Sequence, residues 1–242
     1  GGIDQVQQRS DNDQLLVDSL LSGEGDDLLE SIEEARLSGG PGGNLLDATD
    51  FSAGPVTLAG EGGNDTLRGS IGDDSLDGGS GNDHLEQTTD NDQSLTNWQL
   101  TGRGTDQLNS VETAELIGGA GDNVISASSF TLGSVTLNGA GGNDSVEVDA
   151  GNNDLTHNVT APNTGTIAVV GAATITYTSV ETRTFTNVPG GGATINVAGG
   201  DGVIDTTDAY LLQRSGGDLQ ILIDGSVAAT SAFTAVGSIT IT

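Results

Sequence analysis

Residues 60–86 read GEGGNDTLR GSIGDDSLD GGSGNDHLE, three successive nonapeptides that share the frame Gly-x-x-Gly-x-Asp-x-Leu-x. The third has the full form Gly-Gly-x-Gly-x-Asp-x-U-x, where U is apolar. The glycines allow the positive φ angles of a tight turn, and the leucine two places after the aspartate predicts a short strand with an inward side chain. A strand this short cannot form a core alone, so we expect stacked coils with a continuous leucine ladder.

This nonapeptide resembles the calcium-binding repeat of the RTX, or haemolysin-type, family. The resemblance implies an all-β fold, a right-handed parallel β-roll or β-solenoid, in which two nonapeptides make one coil and Ca²⁺ binds between turns on the same side. It implies that Asp65 and Asp83 share a site, and that Asp74 lies on the opposite side with Asp92 as its next partner. Ca²⁺ is a hard cation that takes about six to eight oxygen ligands, which carboxylates and main-chain carbonyls supply.

Further copies of the frame are scattered through the first part of the chain, and Asn44 and Asn123 replace the aspartate in two of them. An amide offers one neutral and weaker ligand, so calcium is expected chiefly at the aspartates. For the isolated copies the alternative is that Asp and Gly only make ordinary turns. The predicted calcium ligands are Asp65, Asp83, Asp74, Asp92, Asp4, Asp13, Asp27, Asp106 and Asp144.

A longer repeat contains these nonapeptides. Residues 11–68 align without a gap on residues 90–147, at an offset of 79, with 29 identical residues in 58 positions. Within it, Ser31-Ile32-Glu33 returns as Ser110-Val111-Glu112. We therefore predict a β-roll over residues 1–160 that contains a duplicated unit, about 1–79 and 80–158, of roughly four coils each.

The C-terminal third, residues 161–242, differs from the rest because Thr, Val and Ile alternate in it with a period of two, which predicts strands. We expect a β-rich solenoid extension or cap, and the segment Ser179-Val180-Glu181 suggests a degenerate third copy of the repeat. Residues 201–214 resemble the second half of an EF-hand or dockerin loop that enters its helix, with Asp201, Asp205 and Asp208 as weaker ligand candidates. Because Val197 and Gly199 stand where the first ligands belong, a plain turn and strand is the alternative.

The charge of the chain is one-sided, with 35 acidic residues against 6 basic ones and a formal net charge of −29. Nucleic-acid binding needs a basic face, which this chain lacks, and no apolar run has the length of about 20 residues that membrane insertion needs. We interpret the acidic excess as a set of cation sites.

No catalytic motif is present, and His84 and His157 are expected to be solvated surface residues, so we predict that the chain is not an enzyme. The favoured function is an extracellular or cell-surface, calcium-stabilised structural or adhesive solenoid, a segment of a long tandem-repeat protein or a fibre subunit that self-assembles end to end. The alternatives are the secretion or folding domain of an RTX enzyme or toxin, and a glycan-binding module. Sequons at Asn64, Asn143 and Asn158 allow N-glycosylation.

Overall fold

A computed structural model describes residues 2–161 and 163–186, together with the backbone of five later strands between residues 193 and 241. Every regular element among these residues is a β-strand. In this part of the chain no helix has the length and apolar character needed to cross a membrane. The chain forms two compact units, one of residues 1–87 and 94–115 and the other of residues 88–93 and 116–242.

The first fourteen strands are short. They are β1 Gln5–Arg9, β2 Gln14–Val17, β3 Leu20–Ser22, β4 Asp26–Leu28, β5 Glu34–Ser38, β6 Leu45–Asp50, β7 Val56–Ala59, β8 Thr66–Arg68, β9 Ser75–Asp77, β10 His84–Thr88, β11 Gln93–Thr96, β12 Gln99–Thr101, β13 Thr105–Asn109 and β14 Thr113–Ile117.

In the first unit successive strands from β5 to β10 alternate between two parallel sheets. One sheet contains β5, β7 and β9 as neighbours, and the other contains β6, β8 and β10. The inward leucines are in register, since Leu58 faces Leu37 and Leu76 in one sheet, while Leu67 faces Leu46 and Leu85 in the other. All six are at most 1% exposed. The predicted leucine ladders are thus the core of this unit.

The long repeat has three and a half coils, not the four that the spacing suggests. Between β1 and β10, which are equivalent at the offset of 79, the chain passes from one sheet to the other seven times, so β10 lies in the sheet opposite to β1. The difference arises because β2, β3 and β4 form an antiparallel meander that occupies a single side of a coil. Strands β11, β12 and β13 form the corresponding meander in the second copy.

The second unit is also built from strands, and it mixes parallel and antiparallel pairs. Its strands are β15 Val124–Ser129, β16 Val135–Asn138, β17 Ser145–Asp149, β18 Leu155–Ala161, β19 Thr164–Val169, β20 Thr174–Thr178, β21 Thr182–Thr186, β22 Ala193–Val197, β23 Tyr210–Ser215, β24 Asp218–Ile223, β25 Ser226–Ala232 and β26 Val236–Ile241.

Parallel pairing continues in this unit from β15 to β17 and β21, from β16 to β20, and from β18 to β22 and β26. Strand β19 joins β18 and β20 by antiparallel pairing, and β23, β24 and β25 form an antiparallel sheet. The prediction of an all-β chain built on parallel coils is confirmed. Residues 210–214 lie in a strand and not in the helix that an EF-hand would require.

The expectation that His157 is a solvated residue is wrong. Its side chain is fully buried, because β18 turns every second residue inward, and its Nε2 lies 2.7 Å from the Tyr177 hydroxyl oxygen. Burial, with the nearby Arg183 charge, lowers the pKa of His157 to about 3, so the imidazole is neutral near pH 7. His84 is half-buried, with Nδ1 2.9 Å from Thr113 Oγ1.

Candidate calcium sites

The aspartates at the frame position stack on one another across successive coils of the first unit. The backbone N–H of Asn44 donates to Asp65 Oδ1 at 2.7 Å, and the backbone N–H of Asp65 donates to Asp83 Oδ1 at 2.8 Å. The N–H of Asp83 in turn donates to Glu112 Oε2 at 2.8 Å. In the second unit the N–H of Asn123 donates in the same way to Asp144 Oδ1, and that of Asp144 to Glu181 Oε2.

Three aspartates keep their second carboxylate oxygen buried without a hydrogen-bond partner. These atoms are Oδ2 of Asp65, Asp83 and Asp144, and each residue is at most 1% exposed. A buried polar atom without a partner is costly, so such an atom in a folded protein indicates a missing ligand.

Main-chain carbonyl oxygens lie close to these three Oδ2 atoms, around a small space beside each aspartate. A Cβ atom placed on Gly60 would overlap Asp65 Oδ2 and the Gly78 carbonyl oxygen. On Gly78 it would lie 2.6 Å from Asp83 Oδ2 and overlap the Ser110 oxygen, and on Gly139 it would lie 2.5 Å from Asp144 Oδ2 and overlap the Ser179 oxygen. Each space is an oxygen cradle that only glycine leaves open, and its carboxylate and carbonyl oxygens are the ligands that Ca²⁺ prefers.

The turn that precedes each cradle has a particular backbone conformation. The residue four places before each of these aspartates has a positive φ angle, 72° at Glu61, 93° at Gly79 and 66° at Ala140. In the described turns at Asn44, Asp74 and Asn123, the residue four places earlier donates its N–H to the side-chain oxygen, at 2.9 Å from Gly40, 2.7 Å from Ser70 and 2.8 Å from Gly119. The repeat therefore folds into oxygen cradles and into self-capped turns, where a backbone donor bonds the oxygen that would otherwise face an ion.

Without a cation, the surroundings of each cradle aspartate disfavour the ionised form of its carboxyl group. Burial raises the pKa of Asp65 to about 6, and the charges of Asp83 and Asp11 add to the rise, while the N–H of Asn44 opposes it. Burial is also the main cause that raises the pKa of Asp83 and of Asp144. A divalent cation in the cradle would favour the ionised form of each carboxylate.

The other predicted ligands take different places. Asp74 stacks on Asp106, since its N–H donates to Asp106 Oδ1 at 3.0 Å, and burial raises the pKa of Asp106 to about 7. Asp92 and Asp13 are exposed, and their carboxylates accept the N–H groups of Val124 and Leu45, both at 2.8 Å. Asp74 is therefore stacked on Asp106 and not on the expected Asp92.

Two predicted ligands lie on exposed strands or turns outside the cradles. Asp4 is exposed and its N–H donates to Glu33 Oε2 at 2.8 Å, while Asp27 is exposed in β4 opposite Leu21. Asp201, Asp205 and Asp208 lie outside the described residues.

The sequence did not identify the role of Glu112 and Glu181. Their segments were recognised only as a repeated Ser-Val-Glu, and the structure places both carboxylates on the N–H of a cradle aspartate. The signal that could have revealed this role is the recurrence of a carboxylate after Ser and an apolar residue, outside any nonapeptide, at positions 33, 112 and 181.

A different group of possible ligand atoms lies on the strand surface of the first unit. One ligand atom from each of His84, Glu86 and Glu115 lies within 4.8 Å of the others. Arg68 already neutralises Glu86, with its Nε 2.7 Å from Glu86 Oε2. The imidazole nitrogen and this competing arginine distinguish the group from the all-oxygen cradles.

The sequence matches the family described as RTX calcium-binding nonapeptide repeat (4 copies) at residues 57–85, 115–129 and 131–155. The chain contains RTX calcium-binding repeats. The matched RTX segments include Asp65, Asp74, Asp83 and Asp144. Repeats of this family bind Ca²⁺, so calcium is the ion for which the cradles are suited.

Among solved structures, the chain is similar to the crystal structure of the extracellular lipase LipA from Serratia marcescens. The sequence identity is 15% and the TM-score is 0.31, over 87% of this chain and 39% of the lipase chain. The chain thus spans well under half the length of that protein. A search of curated proteins returned no match.

Proposed function

We propose that this chain is an extracellular structural segment that folds when it binds calcium, within a cell-surface or fibre-forming protein. The observation that carries the proposal is the set of three buried Oδ2 atoms, of Asp65, Asp83 and Asp144, which face carbonyl oxygens and lack a hydrogen-bond donor. A cradle that is rich in oxygen atoms and lacks hydrogen-bond donors is stabilised when a cation binds, so ion binding and folding are coupled.

Two features support a structural role. The RTX repeat is typical of non-catalytic calcium-binding domains, and the histidines of the described part are held by core or strand contacts, His157 against Tyr177 and His84 against Thr113. Among the described residues, β1 is the outermost strand of its sheet and pairs with β5 on its inner side, so its outer side is where a strand of another copy would pair. End-to-end association of copies is part of the proposal.

The three predicted N-glycosylation sites differ in how exposed their asparagines are. Asn64 and Asn143 are exposed beside the cradle aspartates, whereas Asn158 is half-buried with Nδ2 3.2 Å from Thr166 Oγ1. Of the three sequons, the first two are the better acceptors for an extracellular glycan.

A calcium-folded domain that assists secretion or folding of a larger RTX enzyme or toxin is the second candidate. The same cradles support it, because the family match concerns the calcium-binding repeat and not the protein that carries it. A larger partner domain in the full-length protein would distinguish this candidate from a tandem structural array.

Circular dichroism with and without calcium tests the shared part of both candidates. At about pH 7.5 we expect a β-sheet spectrum in millimolar calcium and a largely disordered one in chelator. The triple variant Asp65→Asn, Asp83→Asn, Asp144→Asn should need much more calcium to fold. Identical wild-type spectra in both conditions would show that calcium does not drive folding.

Sedimentation velocity tests the fibre part of the proposal separately. We expect species larger than the monomer that grow with protein concentration in calcium. A single monomer peak at all concentrations would exclude self-assembly and leave calcium-coupled folding untouched.

A further inference from the structure

We propose that Ser110–Glu112 and Ser179–Glu181, named here the closing turns, complete calcium sites although neither is a nonapeptide. In each, the serine carbonyl and the glutamate carboxylate would serve as ligands of the ion held by Asp83 or Asp144. This inference rests on the proposed function, since it assigns further ligands to the same cradles.

Glu112 and Glu181 occupy positions equivalent to that of a cradle aspartate. Asp83 Oδ1 accepts the N–H of Asp65, and Glu112 Oε2 accepts the N–H of Asp83 at the same distance of 2.8 Å. Glu112 thus takes the place that the aspartate of a further coil would occupy. Glu181 repeats the arrangement in the second unit, where its Oε2 accepts the N–H of Asp144 at 2.7 Å.

The closing turns also supply a main-chain carbonyl oxygen to their cradles. Around Gly60 the cradle combines Asp65 Oδ2 with the carbonyl oxygen of Gly78, the first glycine of the next nonapeptide on that side. Around Gly78 and Gly139, the corresponding carbonyls come from Ser110 and Ser179. A serine of the closing turn therefore substitutes for a repeat glycine, and the buried, unpartnered Oδ2 atoms of Asp83 and Asp144 point into the resulting spaces.

The backbone of each closing turn is left-handed at its serine. Ser110 and Ser179 have φ angles of 50° and 51°, a left-handed conformation that costs energy for a residue with a side chain. The following valines, Val111 and Val180, are fully buried and fix the turns in place. This conformation directs the serine carbonyl oxygen into the cradle. Coordination of an ion by that oxygen would offset the backbone strain.

Each closing turn brings a second carboxylate to a cradle. Glu112 Oε2 accepts the N–H of Asp83 and Glu181 Oε2 accepts that of Asp144, the residues whose Oδ2 atoms are buried without a partner. The two carboxylates beside each space repel each other. A divalent cation in the space would be attracted to both and would relieve this repulsion.

Calcium titration of the Glu112→Gln variant by isothermal calorimetry tests the inference. The amide oxygen of glutamine can still accept the Asp83 N–H, so the turn is kept while the charge is lost. We expect one calcium ion fewer per chain than in the wild type at the concentration that saturates the latter. Glu24→Gln is the control, at an exposed glutamate of the same unit outside the cradles, and it should bind the wild-type number.

The outcomes separate the two levels of the proposal. A wild type that binds no calcium would refute the proposed function itself. A wild type that binds calcium, with an E112Q variant of unchanged ion number and affinity, would overturn the role of the closing turns alone. If E112Q does not reach the wild-type β-sheet spectrum in saturating calcium, Glu181→Gln decides the question at the other closing turn, where the loss of one ion is likewise expected.

Discussion

Two aspartates with the same place in the nonapeptide have different surroundings. Asp83 keeps a buried Oδ2 without a donor, whereas both oxygens of Asp74 accept hydrogen bonds, Oδ1 from the N–H of Val56 and Oδ2 from that of Ser70. The sequence frame places both as calcium ligands. The distinction arises at the residue four places earlier, which is Gly79 with a φ of 93° before Asp83 and Ser70 before Asp74.

Replacing each of these aspartates with asparagine should separate calcium binding from stability. Asp83→Asn removes a charge from a cradle, so we expect weaker calcium binding and fewer ions per chain by calorimetry. Asp74→Asn should keep the wild-type number of ions but place an NH₂ group against a backbone donor, which costs about 1–3 kcal/mol of stability in thermal or urea unfolding. Loss of a calcium ion from D74N would contradict the assignment of Asp74 to a self-capped turn.

The sequence predicted the stacking of Asp65 on Asp83, because the nonapeptides between them are contiguous and one coil takes 18 residues. It could not predict that Asp74 stacks on Asp106. The meander of β11, β12 and β13 separates the two aspartates by 32 residues, and nothing in the nonapeptide frame encodes this excursion. The frame also contains no glutamate, so it gave no sign of Glu112 or Glu181 at the end of a stack.

The residues that a turn can contain are limited by how closely the neighbouring coil approaches its backbone. Gly81 has a φ of 153°, and a Cβ on it would overlap the carbonyl oxygen of Gly63 in the preceding coil. Gly25 has nearly the same φ, 150°, but has no atom within 4 Å of the Cβ position. Gly81 and Gly25 thus share a backbone angle and differ in their contact with a neighbouring coil, so comparing them separates the two effects.

We therefore expect Gly81→Ala to be far more harmful than Gly25→Ala. Both variants carry a similar backbone penalty, and only G81A forces two coils apart beside the Asp83 cradle, which should cost about 1–3 kcal/mol more. Thermal unfolding in saturating calcium measures the difference, and the calcium midpoint of folding should rise for G81A alone. Equal melting temperatures for the two variants would show that the coil contact is not limiting.

The strand pattern was predictable where the leucines recur at regular spacing, and it was not predictable where the chain leaves that spacing. Leu67, Leu76 and Leu85 fall alternately in the two sheets as the nonapeptide requires. The meander β2 to β4 spans residues 14–28 on one side of a coil, and this excursion turns four expected coils into three and a half. A side change of this kind depends on tertiary pairing, so local periodicity does not reveal it.

For the whole molecule, the net charge of −29 is only partly explained by ions. Three divalent cations would neutralise six of these charges. Many other carboxylates accept main-chain N–H groups of a turn in another coil, which gives them a structural role that the composition did not reveal. Examples are Asp11 to Gly42, Asp73 to Thr105, Asp90 to Gly121 and Asp122 to Asn143, at 2.7–2.8 Å.

The buried carboxylates predict an unusual pH dependence of the calcium-free fold. The pKa values of Asp65 and Asp106 are raised by burial to about 6 and about 7, from an ordinary 3.8. The folded chain therefore binds protons more tightly than the unfolded chain. Its stability is fully present below about pH 4 and is lost as the pH rises through 6 and 7.

Thermal unfolding by circular dichroism, in chelator and in calcium, measures this dependence. We expect the calcium-free chain, which is largely disordered near pH 7.5, to gain β-sheet structure and a measurable melting transition at about pH 4.5. Calcium should reverse this pH preference, because the ion needs ionised carboxylates. Both series are measured in high salt, which screens the general repulsion of a chain this acidic. The variant Asp106→Asn removes one of the two carboxyl groups, so it should flatten the calcium-free stability profile between pH 6 and 7. A calcium-free chain that is more stable at pH 7.5 would mean that these carboxylates are ionised in the fold without an ion.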